Sequence, residues 1–150
     1  MPLLFARDIA PTISRLSQSY SAIMLTGPRQ VGKTTVLTQL KEADRTYVTL
    51  DDWTERNLAR TDPRMFLELH RAPVMIDEAQ YAPELFSYIK MQIDQNAEPG
   101  AFWLTGSQAF SMMRLAQESL AGRAALLHMP ALSQHEIYSG NSCLKTFSTE

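Results

Sequence analysis

The chain has 150 residues, which predicts one domain, and a domain of this size can bury a core without disulfides or structural metals. Its apolar share of 45%, charged share of 20% and net charge of −2 argue against a disordered chain and against binding to nucleic acid or anionic lipid through overall positive charge. The single cysteine, Cys143, excludes an internal disulfide. Neither a signal-peptide pattern nor a long apolar run is present, so we expect a cytoplasmic location without a membrane partner.

Five short apolar runs alternate along the chain with segments of helical periodicity. This alternation is typical of an α/β fold with a mainly parallel sheet. Turn residues, among them Gly27, Gly100 and Pro130, border the apolar runs. The predicted strands cover residues 21–26, 46–50, 74–76, 101–105 and 124–129.

The segments between these strands are predicted to be helices. The first covers about residues 32–42, and a polar helical stretch separates the second strand from the third. Leu85, Ile89 and Ile93 recur every four residues, which predicts a helix that packs one face on the sheet. A further helix precedes the fifth strand and ends near Gly122.

A phosphate-binding pattern follows the first strand. The segment Gly27-Pro28-Arg29-Gln30-Val31-Gly32-Lys33-Thr34 fits G-x-x-x-x-G-K-[S/T] and stands between a predicted strand and the start of a helix. Its glycines let successive backbone N–H groups turn towards phosphate oxygens, and the helix N-terminus adds its positive end.

The loop residues therefore predict a nucleotide site. Lys33 is expected to reach the β- and γ-phosphates, the Thr34 hydroxyl to bind Mg²⁺, and Thr35 to lie among the nucleotide contacts. Arg29 has two interpretations, contact with phosphate or exposure to solvent, and we favour solvent.

Two adjacent carboxylates, Asp77 and Glu78, follow the third apolar run. The carboxyl ends of parallel strands line the ligand crevice, so we expect Asp77 to hold Mg²⁺, directly or through water. Glu78 is expected to act as a general base on the water that attacks the γ-phosphate. Taken alone, such a pair more often marks a solvated turn. Because a phosphate-binding pattern lies upstream, we favour a role for both carboxylates at the nucleotide site.

Polar residues beside the fourth and fifth strands are weaker candidates. Ser107 or Gln108 would orient the attacking water, while a turn and helix cap by Ser107 is about equally plausible. Arg123 would project to a neighbouring subunit and stabilise charge on the transferring phosphoryl group. Its spacing alone favours a surface arginine in a salt bridge.

Three residues near the second strand have simpler explanations. Asp51 and Asp52 either border the site or cap the following helix, and capping is the simpler interpretation. Trp53, like Trp103, is expected to pack rather than to stack on a base.

The motifs GPRQVGKTT, VMIDEAQ, FWLTGSQ and SLAGRAA occur in this order, and the chain resembles a prokaryotic family of AAA+-like P-loop ATPases over about residues 13–137. The resemblance implies a three-layer P-loop NTPase sandwich whose five-stranded, mainly parallel sheet has the order 5-1-4-3-2. It also implies ATP or ADP with Mg²⁺ as ligands.

The resemblance assigns roles to individual residues. Residues 27–34 correspond to the Walker A motif, and Asp77 with Glu78 to Walker B. Ser107 stands at the sensor position, and Arg123 stands where related ATPases place an arginine finger.

The resemblance also sets the expected organisation. Residues 1–138 are predicted to form the ATPase domain, and residues 139–150 a polar tail that is the truncated link to the nuclease-like region with which relatives continue. The expected function is ATP hydrolysis that drives a conformational change in a partner or in the missing domain, with weak turnover in this short chain. A nucleotide-dependent switch is the alternative, and a small-molecule kinase is less favoured. A homo-oligomer or a partner protein is compatible with these roles, and nucleic acid enters only by association with relatives.

Overall fold

The computed structural model describes residues 9–96 and 98–130, which form a parallel sheet with helices on both faces. The strands are β1 (Ala22–Thr26), β2 (Thr46–Thr49), β3 (Val74–Asp77), β4 (Phe102–Gly106) and β5 (Ala124–His128). The helices are α1 (Ala10–Ser17), α2 (Lys33–Leu40), α3 (Trp53–Thr61), α4 (Pro63–Leu69), α5 (Leu85–Gln95) and α6 (Ala109–Ser119), with a single 3₁₀ turn at Ala79–Tyr81.

The sheet has the order β2-β3-β4-β1-β5, and all four neighbouring pairs are parallel. This arrangement confirms the predicted three-layer α/β class and the predicted strand order. Ala22 of β1 lies opposite Phe102 of β4 and Ala124 of β5, so these strands start at the same level. Their carboxyl ends therefore meet at one edge of the sheet.

Two apolar clusters cover the two faces of the sheet. Successive strand side chains point to opposite faces, so Ile23 and Leu25 of β1 pack with α1 and α2. Ala22 and Met24 pack on the other face with α3 to α6. On that second face Leu85, Ile89 and Ile93 of α5 are all buried, as their spacing of four residues predicts.

The helix α1 was not among the predicted elements. It has Pro11 in its first turn and buries Ile13 against the sheet. The indole Nε1 of Trp103 donates to the Ser17 hydroxyl at 3.0 Å, which joins α1 to β4. A single buried residue gives α1 too little periodicity to be recognised from sequence.

The two tryptophans have different environments. Trp103 is buried in β4, as expected, whereas Trp53 is 70% exposed and the expectation that it packs is wrong. Trp53 is the first residue of α3, whose amino end is capped by Asp52, and this position faces solvent. The cap by Asp52, rather than burial of Trp53, therefore marks the start of α3.

The predicted polar tail, residues 139–150, lies outside the described residues. Within residues 9–96 and 98–130, no helix is both long enough and apolar enough to cross a membrane.

Arg45 holds the amino edge of the sheet together. Its guanidinium carbon lies 3.9 Å from the ring centroid of Trp103, and Arg45 as a whole is 3% exposed. Nε and Nη2 donate to the two carboxylate oxygens of Glu42, each at 3.0 Å, and Nη1 donates to the carbonyl of Val74 at 3.4 Å. The bond from Arg45 is the main reason that the pKa of Glu42 lies below its ordinary value.

Glu42→Gln is expected to lower the free energy of unfolding by at most about 1 kcal/mol near neutral pH, because Glu42 is half exposed and water screens the pair. The folded pKa of Glu42 is lower than the unfolded one, so the pair stabilises fully above the ordinary value of 4.5 and loses its effect as the pH falls through the folded value. Urea denaturation of both proteins at about pH 7 and about pH 3 measures the difference.

The control is Glu118→Gln, on the exposed face of α6, which should change stability by less than about 0.5 kcal/mol. An equal destabilisation by Glu42→Gln at both pH values would contradict an ionic origin of the effect.

Candidate functional site

The loop between β1 and α2 depends on two glycines. A Cβ at Gly27 would lie 2.3 Å from the carbonyl oxygen of Met129, so only glycine fits beside that backbone. Gly32 caps α2 with φ 95°, a left-handed conformation that glycine adopts without strain. The glycine spacing of the sequence pattern therefore has a steric cause at both positions.

Lys33 lies inside this loop and is only 5% exposed. Its Nζ donates to the carbonyls of Gly27 and Pro28, each at 2.8 Å. Burial lowers the pKa of Lys33, while the nearby carboxylates of Glu78 and Asp77 oppose the shift. The amine therefore lies within the field of both acidic residues and is hydrogen-bonded to the loop itself.

Asp77, at the end of β3, is surrounded by hydroxyl groups. Its Oδ2 accepts from Thr34 Oγ1 at 3.1 Å and from the Tyr47 hydroxyl at 2.9 Å, and its Oδ1 accepts from Thr105 Oγ1. Burial, followed by the bond to Asp77, raises the pKa of Tyr47 to about 12. The phenol therefore remains protonated and acts as a donor.

Glu78 is held by the end of β4. Its backbone has φ 56° and ψ 48°, a left-handed conformation that is uncommon for a residue with a side chain. The backbone N–H donates to Thr105 Oγ1 at 3.0 Å. The carboxylate oxygen Oε1 accepts from Gln80 Nε2 at 2.7 Å, from Ser107 Oγ at 3.0 Å and from Ser107 N at 3.3 Å.

Lys33, Asp77 and Glu78 line a cavity of about 360 Å³ at the carboxyl edge of the sheet. It contains two cationic and three acidic side chains beside loop backbone. The lining residues are Arg29, Gln30, Gly32, Lys33, Thr34, Thr35, Asp51, Asp77 and Glu78.

The oxygen donors of the cavity fit a magnesium ion. Thr34 Oγ1 and Asp77 Oδ2 lie 3.1 Å apart. Adjacent ligands of an octahedral Mg²⁺, each about 2.1 Å from the ion, lie about 3.0 Å apart. Hydroxyl and carboxylate oxygens are also the ligand types that this ion prefers.

Arg29 lines the cavity from its exposed side. It is exposed, as expected, yet its guanidinium donates to the Tyr81 hydroxyl rather than extending freely into solvent. The guanidinium carbon of Arg56 lies 3.9 Å from the centroid of the same tyrosine ring. Tyr81 therefore holds one arginine beside the cavity and stacks on another.

Arg123 lies at the opposite edge of the sheet from the cavity. It precedes β5 at the level of Ala22, whereas the phosphate loop follows Thr26. A strand of five residues separates the two edges by roughly 16 Å. Arg123 Nε and Nη2 donate to the two carboxylate oxygens of Asp94 at 2.7 and 3.2 Å, so within one chain it forms a surface salt bridge.

The two aspartates after β2 have different roles: one caps the following helix and the other borders the cavity. Asp52 caps α3, because its Oδ1 accepts from Thr54 N at 2.8 Å and Glu55 N at 3.3 Å. Asp51 lines the cavity. For the polar end of β4, Ser107 contacts Glu78, while Gln108 is exposed at the start of α6.

Three contacting residues were not among the predicted site residues: Tyr47, Gln80 and Thr105. Thr105 had a sequence signal, since a hydroxyl stands at the carboxyl end of an apolar strand. Gln80 stands two residues after Glu78, but nothing in the sequence indicates which way its amide points. Tyr47 reaches Asp77 from the neighbouring strand, and no local pattern links the two residues.

Comparisons with known proteins agree with this fold. A family model described as an AAA domain matches residues 19–138. Uncharacterised proteins of Mycobacterium bovis and Mycobacterium tuberculosis are each 34% identical over 138 residues, covering 91% of this chain and 31% of their own length. The chain therefore spans less than a third of the curated relatives that it matches.

Solved structures share the architecture at low sequence identity. The Walker-type ATPase of Pyrococcus abyssi is 18% identical with a TM-score of 0.63, over 89% of this chain and 56% of that chain. The RuvB Holliday junction branch migration motor of Thermotoga maritima is 16% identical with a TM-score of 0.53, over 89% of this chain and 48% of that chain. Identities this low show the fold alone.

Thr105→Val is expected to lower the free energy of unfolding by about 1–3 kcal/mol, because it leaves the buried Asp77 oxygen and the Glu78 N–H without their partner. Valine has nearly the same shape as threonine, so packing is preserved. Chemical denaturation measures the loss. Thr61→Val is the control: it removes an exposed hydroxyl, bonded to the Asn57 carbonyl at 2.8 Å, and should change stability by less than about 0.5 kcal/mol. Equal stability of Thr105→Val and the wild type would show that these bonds contribute nothing.

Proposed function

The chain belongs to the AAA domain family, and on that premise we propose that it binds ATP with Mg²⁺ and hydrolyses ATP to ADP and phosphate. One observation carries the proposal: Lys33, the Thr34–Asp77 pair and Glu78 line a single cavity. A lysine for phosphate, two oxygen ligands for a divalent cation and a separate carboxylate are the groups that phosphoryl transfer to water requires.

The loop binds the triphosphate in this proposal. Lys33 exchanges its bonds with the carbonyls of Gly27 and Pro28 for bonds with phosphate oxygens, and the amino end of α2 supplies N–H donors. Thr34 and Asp77 would hold the metal ion, and Mg²⁺ bound there would offset the negative charge of the phosphates.

Glu78 activates the attacking water. Its carboxylate takes a proton from the water as the water oxygen bonds to the γ-phosphorus. The bond between the γ-phosphorus and the bridging oxygen of the β-phosphate breaks, and ADP leaves with the electron pair. Ser107, which donates to Glu78, acts at the sensor position by keeping this carboxylate at the end of β4.

The output of hydrolysis is proposed to be a conformational change in a partner or in a region beyond this chain. The curated relatives are about three times as long as the matched segment, which supports an attached region that the ATPase domain moves. Arg123 is proposed to act only across a subunit interface, because within one chain it lies at the far edge of the sheet. A homo-oligomer would bring it to a neighbouring cavity.

A nucleotide-dependent switch with negligible turnover is the second candidate. Arg29 is the arginine that lines the cavity of its own chain, and Arg123 is paired with Asp94 instead. Among residues 9–96 and 98–130, no arginine other than Arg29 lines the cavity, so Arg123 does not supply an arginine finger to the site of its own chain. Tight binding of ATP without turnover by the wild type would favour this candidate.

Lys33→Ala is expected to weaken ATP binding by about 10- to 100-fold, because it removes a charge-assisted contact with phosphate. Calorimetric titration with ATP and Mg²⁺ measures the affinity. Lys41→Ala is the matched control, since the Lys41 amine bonds the Arg45 carbonyl at 3.4 Å and lies outside the cavity. Unchanged affinity in Lys33→Ala would remove this lysine from the phosphate site.

Glu78→Gln is expected to keep ATP binding within a few-fold and to lower kcat by about 10²- to 10⁴-fold, because an amide cannot accept the proton from water. Steady-state phosphate release, measured beside the binding titration, separates the two effects. A variant with full turnover would overturn the role of Glu78 as general base.

A further inference from the structure

Gln80 is the buried residue that contacts Glu78 most closely. It is 7% exposed and lies in the 3₁₀ turn that follows β3. Its Nε2 donates to Glu78 Oε1 at 2.7 Å, which is shorter than either bond from Ser107 to the same oxygen. Nε2 also lies 3.4 Å from Ser107 Oγ, so the amide joins the two residues.

The direction of the Gln80 amide is determined by its neighbours. If the amide were turned over, its oxygen would face the Glu78 carboxylate, and two acceptors would repel each other. In the observed direction Oε1 is buried without a partner, and among residues 9–96 and 98–130 it is the single side-chain nitrogen or oxygen in that condition. An unpaired buried acceptor is unfavourable for folding, so stability alone does not explain a glutamine here.

The space for this amide depends on Gly106 and Met112. A Cβ at Gly106 would lie 2.8 Å from Gln80 Oε1 and 2.5 Å from Met112 Cγ. Met112 is fully buried, so it forms an apolar wall beside the amide. A residue with a side chain at position 106 would therefore clash with both Met112 and the Gln80 amide unless one of them moved.

The contacts on Glu78 leave one carboxylate oxygen available. All three donors reach Oε1, and in the described part of the chain Oε2 accepts no hydrogen bond. Among the described residues Gln80 Oε1 is the buried side-chain oxygen that has no partner, so the unpaired Oε2 of Glu78 must still be accessible to solvent. Glu78 also lines the cavity. One oxygen is therefore anchored while the other is free to accept a proton.

We propose that Gln80 is a positioning residue for ATP hydrolysis: it anchors Glu78 Oε1 and so directs Oε2 towards the attacking water. This inference rests on the proposed function of Glu78 as general base. Gln80 itself is not among the residues that line the cavity, so it acts through Glu78. The amide is suited to this task because it donates without carrying a charge that would pair with the carboxylate.

Gln80→Met tests the proposal, because methionine has a similar length and volume but can neither donate to Glu78 nor leave an amide oxygen unpaired. Steady-state kinetics should show kcat lowered by about 10- to 100-fold, as expected for a misdirected catalytic group, with KM changed by less than about threefold. Thermal unfolding should show stability equal to that of the wild type or higher. If the loss of activity came from poor folding, both kcat and the unfolding temperature would be lowered.

Two further variants complete the experiment. Gln117→Met, on the exposed face of α6, is the control and should leave kcat and KM unchanged. Gln80→Met added to Glu78→Gln should lower the residual kcat by less than about twofold, because Gln80 acts through Glu78 and the two effects are then not additive.

The possible failures are distinct. Wild-type turnover with an unchanged or increased kcat in Gln80→Met would overturn the positioning role and leave the ATPase proposal standing. A raised KM with constant kcat would assign Gln80 to nucleotide binding instead. Absence of turnover in the wild type would overturn both the hydrolysis and the positioning role.

Discussion

The parallel register of β1, β3 and β4 is the constraint on which the site depends. Val74 of β3 and Ala22 of β1 both lie opposite Phe102 of β4, so the three strands run level from one edge of the sheet to the other. The phosphate loop, the acidic pair and the end of β4 therefore meet at one edge. An antiparallel arrangement of any one of these strands would carry its functional residues to the opposite edge, out of reach of the others.

Neutral donors surround the acidic residues of this edge. Asp77 accepts from three hydroxyl groups, and Glu78 accepts from an amide, a hydroxyl and a backbone N–H. These donors satisfy the buried oxygens without neutralising their charge. By contrast, Glu42 and Asp94 on the other side of the molecule are each paired with an arginine. The acidic pair at this edge is thus held by neutral hydrogen-bond donors, whereas Glu42 and Asp94 form ion pairs.

Secondary structure followed from local patterns wherever one face of an element is clearly apolar. The repeat of Leu85, Ile89 and Ile93 predicted α5 because a helix on a sheet buries residues spaced by one turn. The helix α1 buries Ile13 alone among its residues and had no such signal. Trp53 was misjudged because large aromatic side chains are usually buried, and its exposure depends on where Asp52 begins α3.

The sequence by itself determined the fold class, the phosphate loop and the acidic pair Asp77–Glu78, because each depends on residues adjacent in the chain and on the period of a strand or helix. Tertiary structure alone decided which groups contact that pair. Tyr47 and Thr105 reach Asp77 from 30 and 28 residues away, and such contacts depend on strand order and register, which leave no local pattern. The same register placed Arg123 at the far edge of the sheet, where it forms the surface salt bridge that its spacing favoured, whereas the family resemblance had assigned it the position of an arginine finger.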